Sequence, residues 1–99
     1  MEKVTVLGAG SWGTALATVL ADNGHDTLIW SHREDQAMEI HEQHTNAKYL
    51  TDVTLPTNLH ATANMAQAMA HASIIVMAVP TKGIRETCQK MMQTLNKPV

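Results

Sequence analysis

The chain has 99 residues, 44% of them hydrophobic and 16% charged, which suits one small domain or part of a larger one. Its net charge of −2 excludes the basic surface needed to hold nucleic acid or an anionic membrane by charge alone. The single cysteine excludes an internal disulfide framework and a cysteine-rich zinc module. No apolar run approaches the ~18 residues of a transmembrane helix. Because the first residues also lack signal-peptide features, we expect a cytoplasmic protein.

Apolar runs alternate with helical patterns along the chain, which predicts βα units and a parallel α/β sheet. The predicted strands are short runs of β-branched and apolar residues at 4–7, 27–30, 59–62 and 73–79. The predicted helices have apolar residues three and four apart, or are rich in alanine, at 11–23, 34–44, 64–71 and 82–95. Between helix two and strand three, turn residues such as Asn46 predict an irregular segment. The last strand is apolar almost throughout, which predicts burial on both faces.

Three of these helices have a predicted stripe on one face, expected to be half-buried in the second, and the first helix ends before Gly24, a residue suited to positive φ. The stripes comprise Leu16, Val19 and Leu20 in the first helix, Ala37, Ile40, His41 and His44 in the second, and Ile84, Cys88, Met91 or Met92 and Leu95 in the last. Cys88 is therefore expected to be structural, since no neighbouring base is indicated.

The segment 8–13, Gly-Ala-Gly-Ser-Trp-Gly, matches G-x-G-x-x-G and lies between a strand and a helix. In a βαβ unit this pattern is typical of a dinucleotide site. Gly8 permits the tight turn, Gly10 lets a pyrophosphate approach the backbone, and Gly13 lets the helix pack close to the strand. The helix N-terminus then offers free N–H groups and a positive dipole to the phosphates, and Ser11 adds a hydroxyl donor. The alternative is a glycine turn without a ligand.

The end of the second strand decides the type of dinucleotide. Folds that prefer NAD usually carry an acidic residue there for the ribose 2′-hydroxyl, whereas this strand runs from Trp30 into Ser31, His32 and Arg33. The guanidinium of Arg33 suits a 2′-phosphate, with His32 or Ser31 assisting, which favours NADP over NAD or the use of both. A solvated arginine at the start of a helix is the alternative.

Other candidate residues carry weaker signals. His41 and His44 are three residues apart rather than four, with no third ligand indicated, so no metal site is predicted. Pro80 borders the expected ligand crevice, although a plain strand terminator explains it equally well. Lys82 could face a phosphate or solvent, and Arg85 is expected to face solvent.

Taken together, these residues resemble the N-terminal part of bacterial NAD(P)-dependent glycerol-3-phosphate dehydrogenase. The similarity covers nearly all of the chain and includes the segments 6–17, 23–25 and 79–81, together with Trp30, His32, Arg33, Asn46, Tyr49, Leu50, Leu55 and Pro56. The resemblance implies reduction of dihydroxyacetone phosphate to sn-glycerol 3-phosphate for phospholipid synthesis. It also implies cofactor contacts at Ser11, Trp12, His32, Arg33 and Tyr49.

The resemblance further implies that residues 1–99 form part of an N-terminal dinucleotide-binding domain. The rest of that domain, the family's catalytic lysines and its helical substrate domain would follow Val99, so no catalytic residue is named here. Thr51-Asp52 stands where the family often has Pro-Gly. The alternatives are another reductase of the superfamily, of the ketopantoate or hydroxy-acid type, and a non-catalytic dinucleotide-binding module.

The resulting expectation is an incomplete Rossmann-type sheet of order 3-2-1-4, with helices on both faces. In that order, strand 73–79 is an exposed, apolar edge without Lys or Pro, and such edges pair with other chains. We therefore expect the chain to self-associate and to lack turnover on its own.

Overall fold

Four parallel strands form one sheet in the order β3-β2-β1-β4, which confirms the predicted topology. The computed structural model describes residues 2–48, 54–79 and 81–95. The strands are β1 (Lys3–Leu7), β2 (Asp26–Trp30), β3 (Leu59–Thr62) and β4 (Ile74–Met77). Leu7 is in register with Trp30 on one side and with Met77 on the other, so three strands end side by side. This edge carries the glycine turn.

Helices cover both faces of the sheet. They are α1 (Ser11–Asp22), α2 (Glu34–Met38), α3 (Met65–His71) and α4 (Thr81–Leu95), and a π-helical turn (Glu39–Gln43) extends α2. One apolar cluster joins α1 and α2 to the sheet, and a second involves α3 and α4. Since successive strand residues face opposite sides, Val6 belongs to the first cluster and Leu7 to the second.

Helix α1 approaches the sheet through small residues. Its buried residues are Gly13, Thr14, Ala17 and Ala21, whereas Val19 is 56% exposed. A Cβ on Gly13 would overlap the carbonyl oxygen of Gly8, which shows how closely the first helical turn approaches the end of β1. Because a bulky side chain does not fit at this distance, the predicted stripe of Leu16, Val19 and Leu20 is wrong, although Leu20 packs against the edge of the core.

The second predicted helix does not run as one α-helix to residue 44. The α-helical part ends at Met38, and after the π-helical turn His44 has a left-handed backbone with φ 56°. A π-helical turn holds more residues than an α-helical turn and so rotates the side chains that follow it. Ile40 is fully buried and His44 is half-buried, but His41 is exposed, so the predicted half-buried face is wrong at His41.

Strand β4 is less buried than its apolar sequence predicts. It forms an edge of the described sheet, and Ile74 and Ile75 are 45% and 38% exposed. Helices α1 and α3 pack chiefly on β1, β2 and β3, which leaves β4 with less cover. Its predicted burial on both faces is therefore wrong.

The predicted apolar stripe of α4 is also only partly correct. Ile84 and Met92 are exposed, whereas Met91 packs against the second cluster. Cys88 is partly buried. Among residues 83–93 of this helix, Thr87 is the buried position, because α4 packs chiefly on α3 and so presents a narrow inward face. Within the described ranges, no helix has both the length and the apolar character needed to span a bilayer.

Substitution of Gly13 should lower stability, whereas the same substitution at Gly10 should have almost no effect. Gly13→Ala places a methyl group on the Gly8 carbonyl and should lower the free energy of unfolding by about 1–3 kcal/mol. Gly10→Ala is the matched control, since a Cβ there meets nothing within 4 Å, and its effect should stay within about 0.5 kcal/mol. Urea denaturation measures both. Equal losses in the two variants would contradict the close-packing role of Gly13.

Candidate dinucleotide site

The turn after β1 is built on backbone geometry that only glycine meets. Gly8 has a φ of +121°, and a Cβ on it would lie 2.6 Å from the carbonyl oxygen of Ala78, just after β4. Its N–H donates to the carbonyl of Trp30 at the end of β2, at 2.9 Å. Gly8 therefore lies where the ends of three strands meet, and both its conformation and its surroundings exclude a side chain.

Beyond Gly8 the turn opens toward solvent and leads into α1. Gly10 is the N-cap residue, and the space where its Cβ would be is open. The first N–H groups of a helix have no partner within it, and the helix dipole makes this end positive. Ser11 and Trp12 are both exposed here, Trp12 to 63%, and no acidic residue lies in the first turn of α1. An open glycine followed by free amides is suited to an anion.

The residues after β2 lie beside this turn. Ser31 is buried, while Arg33 is half-exposed and precedes α2. The Arg33 guanidinium donates to both carboxylate oxygens of Asp35, Nη2 at 3.0 Å and Nε at 3.3 Å. This hydrogen bonding lowers the pKa of Asp35, which favours its ionised carboxylate beside the guanidinium. Glu34 and Asp35 lie in the first turn of α2. The ring of His32 lies 6.5 Å from that of Trp30.

A network of polar side chains holds the Ala9 carbonyl of this turn by hydrogen bonds. The sequence did not indicate this network. The carbonyl of Ala9 accepts hydrogen bonds from Gln36 Nε2 at 2.8 Å and from Asn46 Nδ2 at 2.9 Å. Asn46 also donates to Thr14 Oγ1, and Ser31 donates to Gln36 Oε1. Asn46 is fully buried although it lies in a segment predicted to be irregular. Nothing in the pattern marked Gln36 as a site residue.

Some predicted positions lie outside the described residues. These include Tyr49 and Pro80, the Thr51-Asp52 pair and the side chain of Lys82, so their predicted roles stay predictions. Arg85 is exposed.

The histidines form no metal centre within the described ranges, where no group of three His, Cys, Asp or Glu side chains could hold an ion. His41 Nδ1 instead accepts the backbone N–H of Ala61 on β3, at 3.3 Å. Its ring lies 5.4 Å from that of His60.

The three glycines, the helix N-terminus and the parallel 3-2-1-4 sheet together define a dinucleotide-binding domain of the Rossmann type. The glycines fit such a ligand, because Gly10 leaves room for it while Gly8 and Gly13 draw the surrounding backbone together. The family model described as NAD-dependent glycerol-3-phosphate dehydrogenase N-terminus matches residues 3–99, and the chain belongs to this family.

Curated relatives agree with this assignment. A glycerol-3-phosphate dehydrogenase [NAD(P)+] of Lysinibacillus sphaericus is 65% identical over all 99 residues, and one of Geobacillus thermodenitrificans is 54% identical over the same span. The chain covers 29% of the length of each of these relatives.

Solved structures show the same fold. Glycerol-3-phosphate dehydrogenase of Coxiella burnetii superposes with a TM-score of 0.87 at 31% identity, covering 97% of this chain and 30% of that one. The yeast enzyme superposes with a TM-score of 0.83, also at 31% identity, covering 91% of this chain and 29% of that one. The resemblance read from the sequence is confirmed.

Proposed function

We propose that this chain is the cofactor-binding part of an oxidoreductase that reduces dihydroxyacetone phosphate to sn-glycerol 3-phosphate with NAD(P)H. The observation that carries this proposal is the open glycine turn at a helix N-terminus, in a chain matched by the family over residues 3–99. The curated relatives are named as NAD(P)+ enzymes, which supports a nicotinamide dinucleotide as the ligand. Phospholipid synthesis and a cytoplasmic location follow from the same proposal.

In this proposal the backbone of Gly8, Gly10 and Gly13 surrounds the pyrophosphate, and Ser11 and Trp12 contact it from the start of α1. His32 and Arg33 face the adenosine ribose, and Tyr49 and Pro80 complete the predicted set. When bound, the cofactor supplies the hydride for ketone reduction. The protein's part is to fix the cofactor's position and to offset its negative charge with amide dipoles.

The catalytic groups are proposed to lie outside these 99 residues. The resemblance assigns proton donation and alkoxide stabilisation to lysines beyond Val99, together with a helical domain that binds the small phosphorylated substrate. The chain by itself should therefore bind NADPH without oxidising it.

A chimera tests this division of labour. Replacing the matching 29% of the Lysinibacillus sphaericus relative with this chain should give a protein that oxidises NADPH when dihydroxyacetone phosphate is added. The chain alone should show no turnover in the same absorbance assay. An inactive but folded chimera would contradict the proposed activity, and turnover by the chain alone would contradict the placement of the catalytic groups.

The preference for NADPH is proposed to depend on Arg33. Asp35 holds two guanidinium nitrogens of Arg33, which orients this cation beside the end of β2. Arg33→Asp should weaken NADPH binding by about tenfold or more, because a repelling charge replaces a phosphate ligand, while NADH binding changes by about twofold or less. Fluorescence titration measures both dissociation constants.

Lys3→Glu is the charge-matched control, since Lys3 begins β1 at the opposite end of the strand from the glycine turn. It should leave both affinities unchanged. Equal weakening of NADPH and NADH binding by Arg33→Asp would remove Arg33 from the 2′-phosphate role.

Self-association of the chain is proposed to occur through β4, the edge strand with exposed Ile74 and Ile75. Ile75→Lys should shift the chain toward monomer, because a charged side chain disfavours pairing at a strand edge. Val19→Lys, which alters a more exposed apolar residue on α1, should not do so. Light scattering at increasing concentration checks this. A monomeric unchanged chain at high concentration would contradict the proposal.

A further inference from the structure

We infer that Gln36 and Asn46 are positioning residues that hold the Ala9–Gly10 peptide so that the Gly10 N–H points toward the pyrophosphate of the cofactor. This inference rests on the proposed function and assigns a role to two side chains that the glycine motif does not include. Neither residue needs to touch the ligand, since both act through the carbonyl of Ala9.

The Ala9 carbonyl has both of its acceptor positions filled by side chains. Gln36 Nε2 donates from α2 at 2.8 Å, and Asn46 Nδ2 donates from the segment after the π-helical turn at 2.9 Å. Ala9 itself is 5% exposed, so this carbonyl points into the protein. A buried carbonyl held by two donors from separate segments has its direction fixed from two sides.

The orientation of the next N–H follows from the geometry of the peptide. In a trans peptide the carbonyl of one residue and the N–H of the following residue point in opposite directions, and the chain has no cis bond among the described residues. An inward Ala9 carbonyl therefore turns the Gly10 N–H away from the protein interior. The surroundings of Gly10 leave room for a ligand, since a Cβ there would meet nothing within 4 Å, and α1 begins at the next residue, Ser11.

This peptide needs such support because of the glycine that follows it. Glycine occupies positive and negative φ about equally well, so a flip of the Ala9–Gly10 peptide meets little intrinsic resistance. A flipped peptide would present a carbonyl oxygen, which repels a phosphate. The two amides stabilise the productive orientation and leave the flipped one without its hydrogen bonds.

The chemistry of the network settles which atom each amide presents. A carbonyl can only accept, so both Gln36 and Asn46 turn their nitrogen toward Ala9. The second hydrogen of Asn46 goes to Thr14 Oγ1 at 2.9 Å, and that of Gln36 goes to Asn46 Oδ1 at 3.3 Å. Gln36 Oε1 accepts from Ser31 Oγ at 2.6 Å. Each amide hydrogen therefore has a partner, which makes the arrangement rigid.

The adenosine side of the site does not depend on Gln36. The N–H of Arg33 donates to Ser31 Oγ at 3.1 Å, and this bond uses the oxygen of Ser31 rather than its hydrogen. Loss of Gln36 therefore removes support from the pyrophosphate turn and leaves the Arg33 backbone held. This difference separates positioning of the turn from general damage to the site.

Gln36→Met tests the inference, because methionine has a similar length and helix propensity but no hydrogen-bond donor. Binding of NADPH should weaken by about tenfold, the change expected when the Gly10 N–H loses its hydrogen bond to the charged pyrophosphate. Binding of adenosine 2′-monophosphate, which has no pyrophosphate, should change by about twofold or less. Without ligand, the Gly10 amide signal in NMR spectra should be sharp in the unchanged chain and broadened in the variant by exchange between two orientations. Asn46→Asp should act in the same direction.

Asn58→Leu is the matched control, since Asn58 Nδ2 donates to the carbonyl of Ala21 at 2.8 Å, at the other end of α1. It removes the same kind of bond and should leave NADPH affinity and the Gly10 signal unchanged. A folded Gln36→Met chain with unchanged NADPH affinity and a sharp Gly10 signal would overturn the inference, as would an equal loss for both nucleotides. Failure of the unchanged chain to bind NADPH would instead overturn the proposed function on which the inference rests.

Discussion

The close approach of backbone segments at Gly8 is the constraint on which the rest of the structure depends. At this residue the ends of β1, β2 and β4 meet, with the N–H of Gly8 on Trp30 and the space for its Cβ taken by Ala78. The first turn of α1 rests on the carbonyl of the same glycine through Gly13. The distance between helix and sheet, and hence the direction of the helix N-terminus, follows from two missing side chains. Any ligand of α1 is therefore placed relative to all three strands at once.

This arrangement explains how a chain of net charge −2 can hold a ligand that carries several phosphate charges. An anion at a helix N-terminus gains about 0.3–1 kcal/mol at an exposed site and up to ~2 kcal/mol in a partly buried one. Amide dipoles supply this stabilisation from fixed positions, so no clustered cations are needed. Arg33 is a cation beside the end of the second strand, and Asp35 compensates much of its charge. The site thus recognises an anionic ligand through the fixed positions of its amides more than through net charge.

The sequence predicted the features that depend on local chemistry. A β-branched run followed by glycines gave β1 and its turn, and Gly24 adopts the expected positive φ of 88° after α1. The stripe of α1 was mispredicted because apolar spacing identifies the most hydrophobic face, whereas the sheet here requires the smallest one. Gln36 and Asn46 could not be found from the pattern, since their shared partner is a backbone carbonyl distant in sequence. The π-helical turn likewise has no compositional signal that periodicity can detect.

The π-helical turn sets the distance between α2 and Asn46. Gln36 and Asn46 are ten positions apart, yet they meet on one carbonyl, because the wide turn and the left-handed His44 take up the intervening length. Glu39 closes this segment by accepting from Thr45 Oγ1 at 2.8 Å and from the N–H of Ala47 at 2.9 Å. The number of residues in this connection is therefore constrained more strictly than the identity of those on its exposed side. Many substitutions on its exposed side leave the turn intact, whereas a single insertion or deletion would move Asn46 out of reach of Ala9.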